Sequence, residues 1–170
     1  MQPVTPGYIQ VVNAAAWLVA LLCLAASAQS MPVSARPTVA MQGRLPCRFH
    51  APTALGTGRV EWIGLCKGGY AHGSGMLQVR RPKGPGPAFY GRVDQGVPQI
   101  GAIELPSGYI VGRSGNGEII QASEIANRDA AFTAAMDAAR AVARIYRTRH
   151  NSASQAYYEK KADELCQQSE

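Results

Sequence analysis

Between Trp62 and Gly75 the chain reads Trp-Ile-Gly-Leu-Cys-Lys-Gly-Gly-Tyr-Ala-His-Gly-Ser-Gly, with five glycines in fourteen residues. Glycine adopts positive φ without strain and lets backbones approach closely, so the stretch predicts a strand, a tight reversal and a second strand. The first strand alternates from Arg59 to Lys67. Val60, Trp62, Gly64 and Cys66 share one side, and Glu61, Ile63, Leu65 and Lys67 the other. Both sides carry apolar residues, so the alternation leaves open which face is buried. Trp62 two residues before Gly64 predicts an aromatic ring lying along bare backbone.

The pattern continues downstream. Ser74 to Arg80 is expected to be the returning strand. Arg81-Pro82-Lys83-Gly84-Pro85-Gly86-Pro87 carries three prolines and is expected to be an exposed basic loop. Ala88–Val93, Gly101–Leu105, Tyr109–Arg113 and Glu118–Gln121 are strand-like. Turn residues separate them, including Ser114-Gly115-Asn116-Gly117. At Ala122 the composition changes: no glycine or proline occurs from there to Arg149, and alanine dominates. Ile125, Phe132, Met136, Ala139, Val142, Ala143 and Tyr146 form a stripe at helical spacing, with Ser123 the expected N-cap. The arginines Arg140, Arg144, Arg147 and Arg149 fall late, where a helix dipole favours cations. A shorter helix is expected from about Ala153 to Gln167. The predicted fold is therefore α+β: an antiparallel β-hairpin meander over residues 47–121, then a helical segment over 122–170 with one long and one short helix.

Residues 1–28 carry no charged side chain, Val11–Ala28 is mostly apolar, and Ala26-Ser27-Ala28 is a small-x-small site. This predicts a cleaved export signal, although the customary leading Lys or Arg is missing. An uncleaved membrane anchor is the alternative. Residues 29–46 hold three prolines and no sustained period, and are expected to be a flexible linker. The expected address is the periplasm or outside of a bacterial cell.

Three cysteines follow the expected signal. Outside the cytoplasm disulfides persist. Cys47 and Cys66 bracket one loop-rich segment and are the expected pair, closing a 20-residue loop worth about 3 kcal/mol by chain entropy. Cys166 is then odd: free, paired between chains, or a replacement for one member of that pair.

Numbered from Trp62, the glycines Gly64, Gly69, Gly73 and Gly75 stand at relative positions 3, 8, 12 and 14. This aromatic-x-Gly opening with a closing Gly-x-Gly resembles the membrane-occupation-and-recognition-nexus (MORN) repeat, with Cys66 replacing the usual aromatic. A second unit from Phe89 keeps Gly91 and Gly96 but has Gly101 one place late. A third, from Tyr109, has Gly112 at position 4 and Gly115 and Gly117 out of register. The resemblance covers Arg59 to about Gln121. It implies successive hairpins with stacked aromatic and glycine residues, in a family of mostly scaffolding or interaction modules, some proposed to contact lipid.

The formal net charge is +6, all of it in residues 29–121, which hold ten Lys/Arg and four Asp/Glu. A basic surface outside the cytoplasm suits an acidic protein or an anionic envelope component, with membrane contact a further option. Arg80, Arg81 and Lys83 form the densest basic cluster and are the first candidates for partner binding. Trp62 and Phe89 are expected in the core; Tyr70 and Tyr90 stay open between core and binding surface. Cys47, His50, Cys66 and His72 are metal-ligating types, but their spacing matches no common zinc pattern, so no metal and no cofactor is expected. Cys166 with His150 lacks an oxyanion site or third partner. No serine elbow, phosphate loop, paired-carboxylate motif or nucleic-acid-binding motif is present. The expected function is a non-enzymatic interaction module of the envelope, of inhibitor or immunity type in one concrete form. A membrane-tethered structural protein is the alternative, and a small envelope hydrolase a more distant one.

Overall fold

The computed structural model describes residues 41–45 and 47–169. The expected export signal and the linker as far as residue 40 lie outside them. Among the described residues a 3-10 turn, Thr53–Leu55, precedes six strands: β1 (Arg59–Lys67), β2 (Tyr70–Arg81), β3 (Gly84–Asp94), β4 (Val97–Leu105), β5 (Gly108–Gly115) and β6 (Glu118–Ile119). They form one antiparallel meander in chain order. Two helices follow, α1 (Ile125–Thr148) and α2 (Ser152–Gln167). The expected α+β architecture is the one observed.

Every strand-to-strand connection has two residues. Three of them, Gly68-Gly69, Gln95-Gly96 and Asn116-Gly117, have positive φ at both positions. That backbone matches the right-handed twist of the strands it joins. The proline-rich segment departs from expectation. Only Pro82 and Lys83 form the turn, and β3 already begins at Gly84. Arg80 pairs with Pro85 and Arg81 with Gly84, after a register slip beyond Gln78. Strand β4 joins β3 only from Ala88 onward. Pro85 and Pro87 thus sit where β3 has a neighbour on one side only, the place where a missing N–H is tolerated. Gln78 reinforces the slip by donating from Nε2 to the Gly86 carbonyl at 2.8 Å.

Glycines pair across the sheet. Gly75 faces Gly91, Gly91 faces Gly101, and Gly101 faces Gly112. Two residues along from this row, on the same face, runs a row of large side chains: Trp62, Leu77, Phe89, Ile103 and Ile110. The Trp62 indole occupies the space that a Cβ would need at both Gly64 and Gly75, and the Phe89 ring does so at Gly91 and Gly101. Both rings lie flat along bare backbone. Trp62 also donates from Nε1 to the Leu65 carbonyl at 2.9 Å, which fixes its tilt.

Both faces are covered, so the alternation in β1 had no single buried side to reveal. Beneath the rings, Leu77, Val79, Phe89 and Ile103 pack with Phe49, Ala51 and Leu55 from the segment before β1. A disulfide joins Cys47 to Cys66, with Cα atoms 5.4 Å apart, and holds that segment to the end of β1. Its main chain is threaded onto the hairpin ends: Arg48 donates to Gly69, and His50 to Gly96. The His50 ring is fully buried under Gly117, with Nε2 3.4 Å from the Glu118 carboxylate. The main-chain N–H and hydroxyl of Thr53 donate to that same carboxylate.

On the other face Ile63, Met76, Ala88, Tyr90, Ala102 and Val111 meet α1 through Ala131, Ala135, Ala138, Ala139, Val142 and Ala143. Small side chains on both surfaces let the helix approach closely. The α1 stripe holds from Phe132 to Tyr146, but Ile125 in the first turn is 75% exposed. The N-cap is Glu124 rather than Ser123, with no side-chain capping bond. Helix α2 is capped by Asn151, whose side chain accepts from the Ser154 N–H at 2.9 Å.

The glycine row yields a mutational contrast. Gly91 has no positive φ, so relief of chain entropy alone would favour alanine there. A Cβ would instead meet the Phe89 ring and the Ile100 carbonyl. Gly91→Ala should lower stability by about 2–3 kcal/mol in urea unfolding. Gly68→Ala, at φ 59° in the left-handed helical region with open space around it, should cost only about 1 kcal/mol. Equal costs at the two positions would contradict the packing described.

Candidate partner-binding site

Five residues stand out in the sequence as candidates for contacting a partner: Arg80, Arg81, Lys83, Tyr70 and Tyr90. They do not form one patch. Tyr70 opens β2 and Arg81 closes it, so they are roughly 35 Å apart along the strand. Tyr70 is engaged by Arg48, which donates to its hydroxyl at 3.1 Å and lies over its ring. Tyr90 is 1% exposed and belongs to the core under α1 and α2. Burial pushes its phenol far above the ordinary tyrosine range. It is therefore a packing residue rather than a surface contact. Arg80, Arg81 and Lys83 do lie together at the exposed β2–β3 turn.

Two open clefts meet at Arg80. The first, of about 590 Å³, runs between the β2–β3 arm and the start of α2. Arg81, Pro85, Glu104 and Tyr157 line it. Its wall is held by Lys161 of α2, which is 8% exposed. The Lys161 Nζ donates to Glu104 at 2.9 Å and lies 2.6 Å from Glu164. Burial alone would lower the Lys161 pKa, but the bonds to Glu164 and Glu104 outweigh it and hold the ammonium above the ordinary lysine value. The same contact pulls Glu164 below the ordinary carboxylate range.

The second cleft, of about 630 Å³, follows the outer edge of β1. Arg44, Arg59, Arg80 and Arg149 line it from four separate segments, together with Tyr146, and among the described residues Glu61 is the one carboxylate in the lining. Glu61 is shared: it accepts from Arg80 Nε at 2.9 Å and lies 3.2 Å from Arg59 Nη2. The bond to Glu61 raises the Arg80 guanidinium further above its ordinary value. Arg149 lies over the Tyr146 ring at 5.8 Å, and Tyr146 stacks on Tyr158. Burial, with neighbouring tyrosines, pushes the Tyr158 phenol up to about 12. The cleft thus has four guanidinium groups against one carboxylate, and aromatic faces between them.

The metal-ligating side chains are dispersed. Cys47 and Cys66 are joined, His50 is buried against Glu118, and His72 Nδ1 stands 3.1 Å from Asp94 Oδ1 at the opposite end of β2 from Arg80 and Arg81. Cys166 forms no disulfide among the described residues.

Reasoning from sequence missed Arg44, Arg59 and Arg149 as site residues, because they come together only through the fold. One signal was available: in a meander the first strand is an edge, so charges at its start border open space.

Comparison with protein-family models, with curated proteins and with solved structures finds no match to this chain.

The Lys161 network gives a pH prediction. The folded pKa of Glu164 is depressed, so its contribution is full above its ordinary value of 4.5 and is lost as pH falls through the folded value. The folded pKa of Lys161 is raised, so its contribution is full below 10.5 and is lost as pH rises past the folded value. Lys161→Met should cost about 1–2 kcal/mol at neutral pH, since both carboxylates keep contact with water. The gap from the parent should narrow as pH falls below the carboxylate range. A pH-independent gap in thermal unfolding would contradict the ion-pair account.

Proposed function

We propose that this chain is a non-enzymatic interaction module that works outside the cytoplasm and binds an acidic protein partner. One observation carries the reading: Arg44, Arg59, Arg80 and Arg149 converge on a single open cleft in which, among the described residues, Glu61 is the only opposing carboxylate. Such an arrangement attracts an acidic surface and retains it by charge-assisted hydrogen bonds. The Cys47–Cys66 disulfide supports an oxidising compartment. The paired glycines with rings laid along them support reading the sheet as a decayed MORN-type array, and hence as a binding scaffold.

The site of contact moves from the β2–β3 turn toward the β1 edge, with Arg80 common to both. The test is capture from an envelope extract with the purified chain. An Arg59→Glu, Arg149→Glu variant should lose the captured partner, while Arg81→Glu, Lys83→Glu should retain most of it. Equal recovery by all three proteins would remove the arginine cleft from the reading. Turnover of an envelope substrate that a single side-chain change abolishes would overturn the non-enzymatic reading altogether.

A further inference from the structure

We infer that the outer edge of β1, over Arg59–Ile63, is a strand acceptor that takes an extended segment of the partner with alternating acidic and apolar residues. The inference rests on the interaction-module reading above and adds the mode of contact.

The two ends of the meander differ. At β6 the edge is two residues long, and its Glu118 is tied to Thr53. At β1 the edge strand is nine residues long. Among the described residues no main-chain hydrogen bond joins β1 to anything other than β2. In an antiparallel strand every second residue turns both its N–H and its C=O away from the existing partner. A long edge in this state is a template for a further strand unless something blunts it. Here the blunting device is local: the register slips between Ile63 and Leu65, so only the part before Gly64 is regular. The acceptor is thereby limited to about five residues, Arg59 to Ile63.

The same five residues line the arginine cleft. Their side chains divide by face. Val60 and Trp62 belong to the apolar row on the ring side. Arg59 and Glu61 point to the other face, where they join Arg80. Beside them stand Tyr146 and Arg149 at the end of α1. Residues of an added strand would alternate between the same two faces. Those on the ring side would meet Trp62 and Val60, and those on the helix side would meet guanidinium groups. Glu61 engages Arg59 and Arg80 only in part of their donor capacity. Among the described residues neither Arg44 nor Arg149 has a carboxylate partner. The complementary segment is therefore acidic at alternate positions and apolar between them.

The probe is a blocked eight-residue peptide of alternating glutamate and valine, titrated into the purified chain. Amide hydrogen exchange reads the site. Binding should protect main-chain amides within Arg59–Ile63. A lysine–valine peptide should not bind. The glutamate–valine peptide N-methylated along one edge should bind at least about tenfold more weakly, since it keeps the charges and loses the ladder. Arg59→Ala and Arg149→Ala remove exposed side chains and should each weaken binding several-fold without changing the fold.

Undiminished affinity of the N-methylated peptide, or protection confined to the β2–β3 turn, would overturn strand addition. So would the absence of binding by the glutamate–valine peptide. Competition separates this inference from the reading beneath it. If the chain captures an acidic partner from envelope extract but the peptide does not compete, strand addition fails and the interaction module stands. If no partner is captured, the interaction module itself fails.

Discussion

Two aromatic rings lying on paired glycines are the contact on which the remaining structure depends. Trp62 fills the space above Gly64 and Gly75, and Phe89 fills that above Gly91 and Gly101. Each glycine gives up a side chain, and the ring of a neighbour takes the volume. Burying one such ring contributes about 1.5–3 kcal/mol. The geometric consequence matters as much. Rings laid flat keep that face smooth, so the segment carrying Phe49, Ala51 and Leu55 can close over it. The opposite face remains free for an alanine-rich helix. The sheet becomes the middle layer of three, each layer fixed by what the glycine row permits.

The layers also explain why charge collects at one place. The disulfide draws residue 47 to the end of β1, which brings Arg44 beside that strand. Helix α1 crosses the sheet and ends beside Glu61, which brings Arg149 there. Arg59 and Arg80 face each other across β1 and β2. None of these placements is local. Each follows from how a segment is docked onto the sheet, and together they make the β1 edge a cationic border.

Much of the fold is legible in the sequence for physical reasons. Two-residue turns rich in glycine announce hairpins, and the change at Ala122 announces helix. The ring over Gly64 follows from an aromatic two residues before a glycine on one strand face. The Cys47–Cys66 pair follows from their positions around one short loop. The failures have physical reasons too. Three prolines between Arg81 and Pro87 suggest a loop, yet Pro82 takes the turn and an arm of sheet with only one neighbour accommodates Pro85 and Pro87. Tyr90 stays open between core and surface in the sequence because it follows Phe89 on the other face, and only the helix covering that face buries it. Ser123 looks like a cap, but the chain leaves β6 in an extended path and enters the helix one residue later. The arginine cleft was the least legible feature, because its four cations are contributed by segments far apart in the chain.

The rings lying along the glycine row set both covered faces, and among the described residues β1 is the edge of the sheet that stays open. The most direct measurement is the proton NMR spectrum of the α-protons of Gly64, Gly75, Gly91 and Gly101. Ring currents from Trp62 and Phe89 should move at least one α-proton of each glycine well upfield of its coil position, with cross-relaxation to the ring protons. Coil-like shifts at these glycines, with no contact to either ring, would contradict the account.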